Sequence, residues 1–320
     1  MTLQLATLLI LAFLAHGSGD HTLLLVGVIN GVTYSSSLEL LMPSMTCNPA
    51  MAPMPVGRFG AAAVLLGDKI LHCGGYNSKE DPFYHSSCHS YTLGDSGDAW
   101  AEDHSMTLPR MYFAMSVVGD RVYASGGMRT KDTFINTVEY YTPESGWTYD
   151  SSLTMESFRY WHCSVGVGSE LYVIGGSVGM HDTDSNSVIS YDTAKGGGWV
   201  DRQPLKKARY IQACQVHSID SQEGIVVSGG YSGTYLSSVE FYDLSTEEWR
   251  DLGKLATARD FHTMTFLGSQ LVIAGGEPDS TAAGSVETWD GTSWVENTEN
   301  LATRRWRHAA VSFPEGMITC

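Results

Sequence analysis

The stretch Leu171-Tyr172-Val173-Ile174-Gly175-Gly176 decides the fold, because it joins a run of strand-forming residues to two consecutive glycines. Paired glycines adopt backbone conformations that other residues avoid, so they indicate a buried strand that ends in a sharp turn. Equivalent pairs stand at Gly74-Gly75, Gly126-Gly127, Gly229-Gly230 and Gly275-Gly276. Five copies at intervals of 52, 49, 54 and 46 residues predict a repeat protein.

Each glycine pair belongs to a longer repeating unit. A strand of the pattern Val-x-x-aromatic follows most pairs, as at residues 138–141, 188–191 and 239–242. A tryptophan then follows in five repeats, at Trp100, Trp147, Trp199, Trp249 and Trp294. An arginine opens the next small-residue strand, at Arg58, Arg110, Arg159, Arg209, Arg259 and Arg305. Each unit therefore contains four short strands.

The repeat length and its motifs indicate a closed ring of sheets. One four-stranded sheet cannot bury both of its faces, so the units must stack, and a ring removes most exposed edges. A repeat of about fifty residues with these motifs resembles the kelch repeat. The resemblance implies an all-β, six-bladed kelch β-propeller with four-stranded antiparallel blades.

The two ends of the chain are expected to close the ring together. Residues 22–28 and 37–41 resemble the glycine-ended strand and its neighbour, and residues around 47–48 take the tryptophan position. Residues 305–313 supply the arginine-led strand that the N-terminal region lacks. One sheet formed by N- and C-terminal strands would complete six blades. Residues 316–320 resemble the start of a further strand, so an incomplete seven-bladed propeller is the alternative.

The N-terminus resembles a secretory signal. An apolar run covers residues 5–15, too short to span a bilayer, and Ala15 and Gly17 fit a cleavage site. We therefore expect a signal peptide at residues 1–17, a propeller at 20–320 and secretion. The alternative is a cytoplasmic protein whose N-terminal run is part of the propeller.

The composition and motifs exclude several classes of function. The formal net charge is -16, which disfavours nucleic acid as a partner. No nucleophile elbow, phosphate-binding loop or zinc-protease motif occurs, so we expect no enzyme, no cofactor and no membrane span. The polar groups at 85–89 and 182–186 contain metal-capable atoms, but a structural reading is favoured for both and no metal is expected.

Cysteine spacing predicts one disulfide bond. Cys73 and Cys88 lie on strands expected to be antiparallel neighbours, within bridging distance. Cys163 and Cys214 stand four and five residues after their repeat arginines, so alternation points them to opposite faces and predicts free core thiols. The pairing of Cys47 with Cys320 stays open.

Two sets of polar side chains recur with the repeat. His162, His262 and His308 each follow a repeat arginine by three residues, which favours packing between blades. The six arginines have two readings. They could pair with strand glutamates such as Glu139, Glu240 and Glu287, or they could line one mouth of the ring and bind carboxylates. Kelch adaptors that resemble this chain bind acidic peptides with arginines near such positions.

The sequence predicts a secreted, non-enzymatic interaction module. The loops after the glycine pairs differ in every repeat, at residues 77–87, 129–136, 177–187, 232–238 and 277–285. A fixed scaffold with variable loops is typical of a recognition surface. The expected partner is a protein or peptide, acidic if the arginines bind it, and a glycan is a further option. The alternative is an intracellular ubiquitin-ligase substrate receptor or actin-binding scaffold.

Overall fold

The computed structural model describes residues 21–26, 36–41, 51–94, 99–179, 183–278, 280–298, 300–314 and 317. Nearly all of the regular structure is β. The strands are β1 (His21–Val26), β2 (Leu38–Leu41), β3 (Phe59–Leu66), β4 (Lys69–Tyr76), β5 (Cys88–Thr92), β6 (Ala101–Asp103), β7 (Ala114–Val118), β8 (Arg121–Ser125), β9 (Met128–Thr130), β10 (Thr133–Phe134), β11 (Val138–Thr142), β12 (Gly146–Tyr149), β13 (Cys163–Val167), β14 (Glu170–Ile174), β15 (Val188–Asp192), β16 (Val200–Arg202), β17 (Ala213–Ile219), β18 (Gln222–Ser228), β19 (Ser238–Asp243), β20 (Glu248–Lys254), β21 (Thr263–Leu267), β22 (Gln270–Ala274), β23 (Val286–Trp289), β24 (Trp294–Glu296) and β25 (Ala309–Pro314). A 3-10 turn covers Ser151–Leu153, and one short helix, α1, covers Ser280–Gly284.

Five antiparallel four-stranded sheets form the blades of a propeller. In order along the chain they are β3-β4-β5-β6, β7-β8-β11-β12, β13-β14-β15-β16, β17-β18-β19-β20 and β21-β22-β23-β24, from the inner strand outward. A two-stranded hairpin, β9-β10, is attached to the second blade. We refer to these sheets as the first to fifth blades.

The two chain ends share a further sheet, here named the closing sheet, with the order β25-β1-β2. Residues Ala309–Pro314 pair with His21–Val26, as the sequence predicts for ends that meet in one sheet. The six-bladed prediction is not met as stated, because the structure has five four-stranded blades. The closing sheet has three strands in the described part of the chain, and its predicted tryptophan-position strand near residues 47–48 lies outside it. The seven-bladed alternative depended on residues 316–320, of which only Met317 is described.

The hydrophobic core lies between successive sheets. Strand β14, which contains the stretch that decides the fold, pairs with β13 on one side and β15 on the other. Leu171, Val173 and Ile174 are fully buried. Central strands with neighbours on both edges and sheets on both faces have near-continuous apolar sequences for this reason.

The glycine pairs connect each blade to the next. The second glycine donates its backbone N–H to the carbonyl of the following repeat arginine, at 2.8 Å for Gly75 with Arg110 and 2.9 Å for Gly276 with Arg305. The first glycine leaves no room for a side chain. A Cβ at Gly229 would lie 2.5 Å from the carbonyl oxygen of Arg259. The pairs are therefore contact points between blades as well as strand ends.

The repeat tryptophans cover the outer part of each blade. Each indole packs against the aromatic residue at or next to the end of the third strand, with ring centroids 5.0 to 5.6 Å apart. The indole N–H of Trp249 reaches back to the carbonyl of Gln203 in the loop before its own blade's arginine. The predicted recurrence of tryptophan thus reflects one packing position repeated in five blades.

Two disulfide bonds are present, one predicted and one not. Cys73 and Cys88 are directly opposite on β4 and β5, with Cα atoms 4.1 Å apart, as predicted. Cys163 and Cys214 are also bonded, across 6.0 Å between Cα atoms, so the prediction of free thiols is wrong. Opposite faces of successive blades point toward each other in a stacked ring, which brings these two inner strands' cysteines together.

Several predictions fall on residues outside the described part of the chain. They are the signal peptide at residues 1–17, the roles of Cys47 and Cys320, and the loop at 182. Among the described residues, no helix is long and apolar enough to cross a membrane.

Candidate recognition surface at the channel mouth

The six inner strands surround a central channel. Strands β3, β7, β13, β17, β21 and β25 line a cavity of about 490 Å³. Its wall is made of small, apolar and uncharged polar residues, and no Asp, Glu, Lys, Arg or His is among the described residues that line it. Hydrogen bonds between hydroxyls cross from blade to blade, as between Thr265 and Ser312 at 2.9 Å. The wall therefore offers no acid or base for catalysis.

The repeat arginines lie inside the blades and do not face the mouth. All six are at most 5% exposed. In five blades the Nη1 group donates to the carbonyl of the first glycine of the pair, at 2.6 Å for Arg159 with Gly175 and 2.7 Å for Arg110 with Gly126. The predicted arginine-lined mouth is thus corrected, because these guanidinium groups are already bonded within the sheets.

Strand glutamates complete the arginine sites. Arg110 pairs with Glu139 at 2.8 Å, and both side chains are fully buried. Equivalent pairs join Arg209 to Glu240, Arg259 to Glu287 and Arg305 to Glu39. The remaining two arginines, Arg58 and Arg159, have no such glutamate, and their Nε atoms lack a hydrogen-bond partner. Burial lowers the pKa of Arg159 to about 10, so it still carries its charge at neutral pH.

A second set of repeat positions does face the mouth. The residue two places after each repeat arginine is half-buried and lies in the left-handed backbone region, with φ between 49° and 65°. We name this set the mouth collar: Gly60, Tyr112, Trp161, Ile211, Phe261 and Arg307. Aromatic and β-branched residues rarely adopt such φ values, and clusters of them mark functional segments.

Backbone hydrogen bonds link the collar residues around the ring. Five collar N–H groups donate to the collar carbonyl of the preceding blade, from Tyr112 to Gly60, Trp161 to Tyr112, Ile211 to Trp161, Phe261 to Ile211 and Arg307 to Phe261. The distances run from 2.8 to 3.3 Å. This continuous chain explains why the strained backbone is maintained, and it holds five side chains at the opening of the channel.

The collar side chains belong to a contiguous network of aromatic rings. Tyr112 contacts Trp161 at 5.1 Å and Phe261 at 6.1 Å between ring centroids, and Trp161 stacks on Tyr210 at 5.4 Å. Ring contacts then continue into the loops. We name the whole set the aromatic face: Phe59, Tyr76, Phe83, Tyr84, Tyr112, Phe134, Phe158, Tyr160, Trp161, Tyr210, Tyr231, Tyr235 and Phe261.

Four buried polar residues lie under the collar in four successive sheets. His162, His262 and His308 each hydrogen-bond through Nε2 to a hydroxyl in the preceding blade, at 2.8 to 2.9 Å. Gln212 takes the same position in the fourth blade and donates to the carbonyl of Ile174. Burial and the adjacent arginines lower the pKa of His162 to about 3, so its imidazole is neutral at pH 7. The interpretation of these histidines as interblade packing is confirmed by these contacts.

One side of the mouth is acidic. Asp260 and Glu277 are antiparallel neighbours in the fifth blade, joined by backbone hydrogen bonds. The guanidinium of Arg307 lies 4.4 Å from the centroid of Phe261 and 3.5 Å from the carboxylate of Glu277. Burial and the nearby charge of Glu277 raise the pKa of Asp260 to about 7, although Arg307 partly opposes this.

The sequence predicted an arginine-lined mouth, whereas the structure places the collar residues there and the arginines inside the blades. The variable loops lie where predicted, since Phe83, Phe134 and Tyr235 in three of them join the aromatic face. The collar itself was missed. A signal for it exists, because aromatic residues recur one or two places after the repeat arginines, as in Phe59, Tyr112 and Trp161. Among the described residues, no group of three or more His, Cys, Asp or Glu side chains is placed to bind a metal ion.

Comparison with known proteins supports the repeat assignment. The kelch motif model matches residues 109–146, 159–196 and 221–256. Kelch-like protein 15 of Danio rerio is 24% identical over 226 residues, which cover 63% of this chain and 36% of the relative. Kelch-like protein 36 of Bos taurus is 25% identical over 260 residues, covering 77% and 41%. The chain thus spans well under half the length of these relatives. The solved structure of YjhT aligns with a TM-score of 0.67 at 13% identity, covering 88% of this chain and 95% of YjhT, a likeness of fold.

Proposed function

We propose that this chain, whose repeats match the kelch motif and whose sheets form a β-propeller, serves as a non-enzymatic protein-interaction module. On this proposal the mouth collar and the surrounding aromatic face bind a segment of a protein partner. The propeller is a rigid frame, and the loops after the glycine pairs supply the variable part of the surface. Kelch-like relatives support an interaction role in general.

The aromatic face is the observation that carries this proposal. Tyrosine and tryptophan side chains are enriched at the centres of protein interfaces, because they bury a large area with few rotatable bonds. Most of the thirteen rings are only partly buried, and Phe83 is 51% exposed. A connected aromatic surface around a channel opening exceeds what the fold itself needs, since the core lies between the blades.

The channel supports a binding role over a catalytic one. The described lining residues contain no titratable group, and the histidines above them are bonded between blades. The repeat arginines already bind glutamates and backbone carbonyls within the protein, so they give no reason to prefer an acidic partner. Glycans also stack on aromatic rings, which makes glycan binding an outcome for the test.

Two further parts of the proposal concern shape and location. We propose that the closing sheet is the sixth member of the ring, because β25 lines the channel alongside the five blade strands. We also propose secretion, which the two disulfide bonds support, since such bonds persist in oxidising compartments. N-terminal sequencing of protein recovered from culture medium checks this, with a start near Ser18 expected and intact Met1 in cytosol contradicting it.

The recognition proposal predicts that mouth substitutions weaken peptide binding. A library of random peptides is selected against the protein, and the selected peptides are measured by isothermal titration calorimetry. Tyr112→Ala and Trp161→Ala are each expected to weaken binding at least about tenfold, or 1.4 kcal/mol, because hot-spot aromatics at interface centres contribute more than this.

The matched control is Tyr149→Ala. Tyr149 lies on the outer strand β12 and is 47% exposed, so it presents a tyrosine far from the mouth. Unchanged peptide affinity in all three variants, with unchanged thermal unfolding, would eliminate the mouth as the binding surface. A glycan array that gives mouth-dependent binding where the peptide library gives none would replace the protein partner with a sugar.

A further inference from the structure

Four side chains form a small acidic site at the edge of the mouth, between the fourth and fifth blades. We name it the acidic notch: Tyr231, Tyr235, Asp260 and Glu277. The two tyrosine rings meet edge to face at 5.3 Å, and both are half-buried. Burial and the nearby charges of Asp260 and Glu277 raise the pKa of Tyr235. Two aromatic rings and two carboxylates therefore share one corner of the surface.

The notch contains a buried carboxylate with one unsatisfied oxygen atom. Asp260 is 4% exposed, and its Oδ1 atom has no hydrogen-bond partner. Glu277 forms the outer carboxylate, with its side chain 25% exposed. A buried acceptor without a partner is costly, and such groups are commonly satisfied by a ligand or by a proton. Asp260 stands where the other blades carry Phe59, Met111 or Tyr160, so the repeat does not require a carboxylate there.

The neighbouring cation does not satisfy Asp260. Arg307 is bonded to Glu277, lies over the ring of Phe261, and makes no ion pair with Asp260. Its Nε atom is itself without a partner. The position of Arg307 shows that a guanidinium fits on this side of the mouth, between the ring of Phe261 and the carboxylate of Glu277. Asp260 itself has no ion pair among the described residues, so a cation seated beside Glu277 would supply the charge that it lacks.

We propose that the acidic notch binds a lysine or arginine side chain of the partner. This inference rests on the proposed function, since the cation would be carried by the segment that docks on the aromatic face. Carboxylates and tyrosine rings are the groups that attract ammonium and guanidinium ions. The net charge of -16 favours the approach of a cationic segment from solution.

Binding should depend on the ionisation of Asp260. The titratable and charged groups around it are Glu277, Arg307 and Tyr235. Its raised pKa leaves it largely protonated at pH 6 and ionised at pH 8. A cation that binds only the ionised form is then expected to gain affinity by up to about tenfold over that interval.

The experiment uses small blocked amino acids as probes. N-acetyl-arginine amide, N-acetyl-lysine amide and the uncharged isostere N-acetyl-citrulline amide are titrated into the intact protein and followed by NMR. We expect the arginine or lysine probe to bind at least tenfold more tightly than citrulline at pH 8. The signals that move should belong to Tyr235, Phe261 and Glu277. The arginine and lysine arms show which cation the notch prefers.

Two isosteric variants test the residues. Asp260→Asn and Glu277→Gln should each weaken binding of the charged probe about tenfold or more, and Asp260→Asn should also remove the pH dependence. Asp132→Asn is the control, because Asp132 is an exposed carboxylate (79% of its side chain) in the second blade's loop. Thermal unfolding of each variant verifies the fold.

The outcomes separate this inference from the proposed function. Equal binding of arginine and citrulline probes, or full binding by folded Asp260→Asn, overturns the acidic notch. If selected peptides still depend on Trp161 in that case, the recognition proposal stands without it. If the charged probe binds at the notch while no peptide depends on the collar, the notch stands and the recognition proposal fails.

Discussion

The repeat arginines could bind a ligand by their chemistry, but in this structure they bind groups inside the sheets and stabilise the fold. The side chains of Arg110 and Glu139 contact each other and are both fully buried from water. Glu139 also accepts a hydrogen bond from the backbone N–H of Thr107. Each pair therefore ties an arginine, a third strand and the loop before the arginine into one unit. Removing one partner of such a pair leaves an uncompensated charge in a low-dielectric site.

Substitution of these arginines is expected to cost stability according to the presence of the glutamate. Arg110→Met should lower the free energy of unfolding by about 3–5 kcal/mol, because it leaves Glu139 buried and unpaired. Arg159→Met is the matched control, because Ile189 takes the position that Glu139 has in the second blade. This variant should lose only about 1–3 kcal/mol from unmade hydrogen bonds. Urea unfolding measures both.

A double variant checks the cause. Adding Glu139→Gln to Arg110→Met removes the stranded charge but keeps an acceptor for Thr107. We expect it to recover at least about 1 kcal/mol of the loss. Equal losses for Arg110→Met and Arg159→Met, with no recovery in the double variant, would contradict a role for the ion pair.

At the scale of elements, the strands and their order were predictable from the sequence, because the signals are local. Glycine pairs end strands such as β14 for reasons of backbone conformation, and alternating apolar residues mark the buried faces. The adjacent-strand disulfide of Cys73 and Cys88 was predictable for the same reason. The two lie on neighbouring strands of one hairpin, where antiparallel pairing places residues directly opposite.

Features that depend on the relation between blades were not predictable in this way. Cys163 and Cys214 point to opposite faces of their own strands, and only the stacking of the third and fourth blades makes those faces meet. The collar was missed for a related reason. A residue such as Ile211 has no local preference for positive φ, and hydrogen bonds to neighbouring blades impose it. Local patterns thus predict the sheets and leave the mouth undetermined.

At the scale of the whole molecule, successive sheets are held together by buried polar groups as well as by apolar packing. Glycine N–H groups bond to arginine carbonyls, histidines bond to hydroxyls of the preceding blade, and the closing sheet joins both chain ends. On the proposal that the closing sheet completes the ring, no blade at the end of the series is free to unfold by itself. Perturbing several interfaces at once should therefore destabilise it cooperatively.

Acid is such a perturbation, because buried neutral histidines occur in several sheets. Their pKa values are lowered by burial, to about 3 for His72, His162 and His308, to about 4 for His85, and downward for His89 and His262. The unfolded chain takes up protons near pH 6.5, whereas the folded state does not. Stability is therefore fully present above pH 6.5 and is lost as the pH falls from 6.5 toward 3. At pH 5 each histidine whose pKa is about 3 lowers the free energy of unfolding by about 2 kcal/mol. The sum over these histidines approaches the total stability of a typical domain.

Gln212 provides the variant that tests this account, since the fourth blade already uses glutamine at the histidine position. His162→Gln should retain a donor to the preceding blade without a group that titrates. Urea unfolding at pH 7.5 and pH 5 should show a loss of stability smaller by about 2 kcal/mol in this variant than in the wild type. His104→Gln, at a side chain that is 59% exposed, should leave the loss unchanged. If His162→Gln and the wild type lose the same free energy of unfolding between pH 7.5 and pH 5, His162 is not a source of the acid sensitivity. A smaller loss would establish that protonation of His162 contributes to the loss of stability in acid.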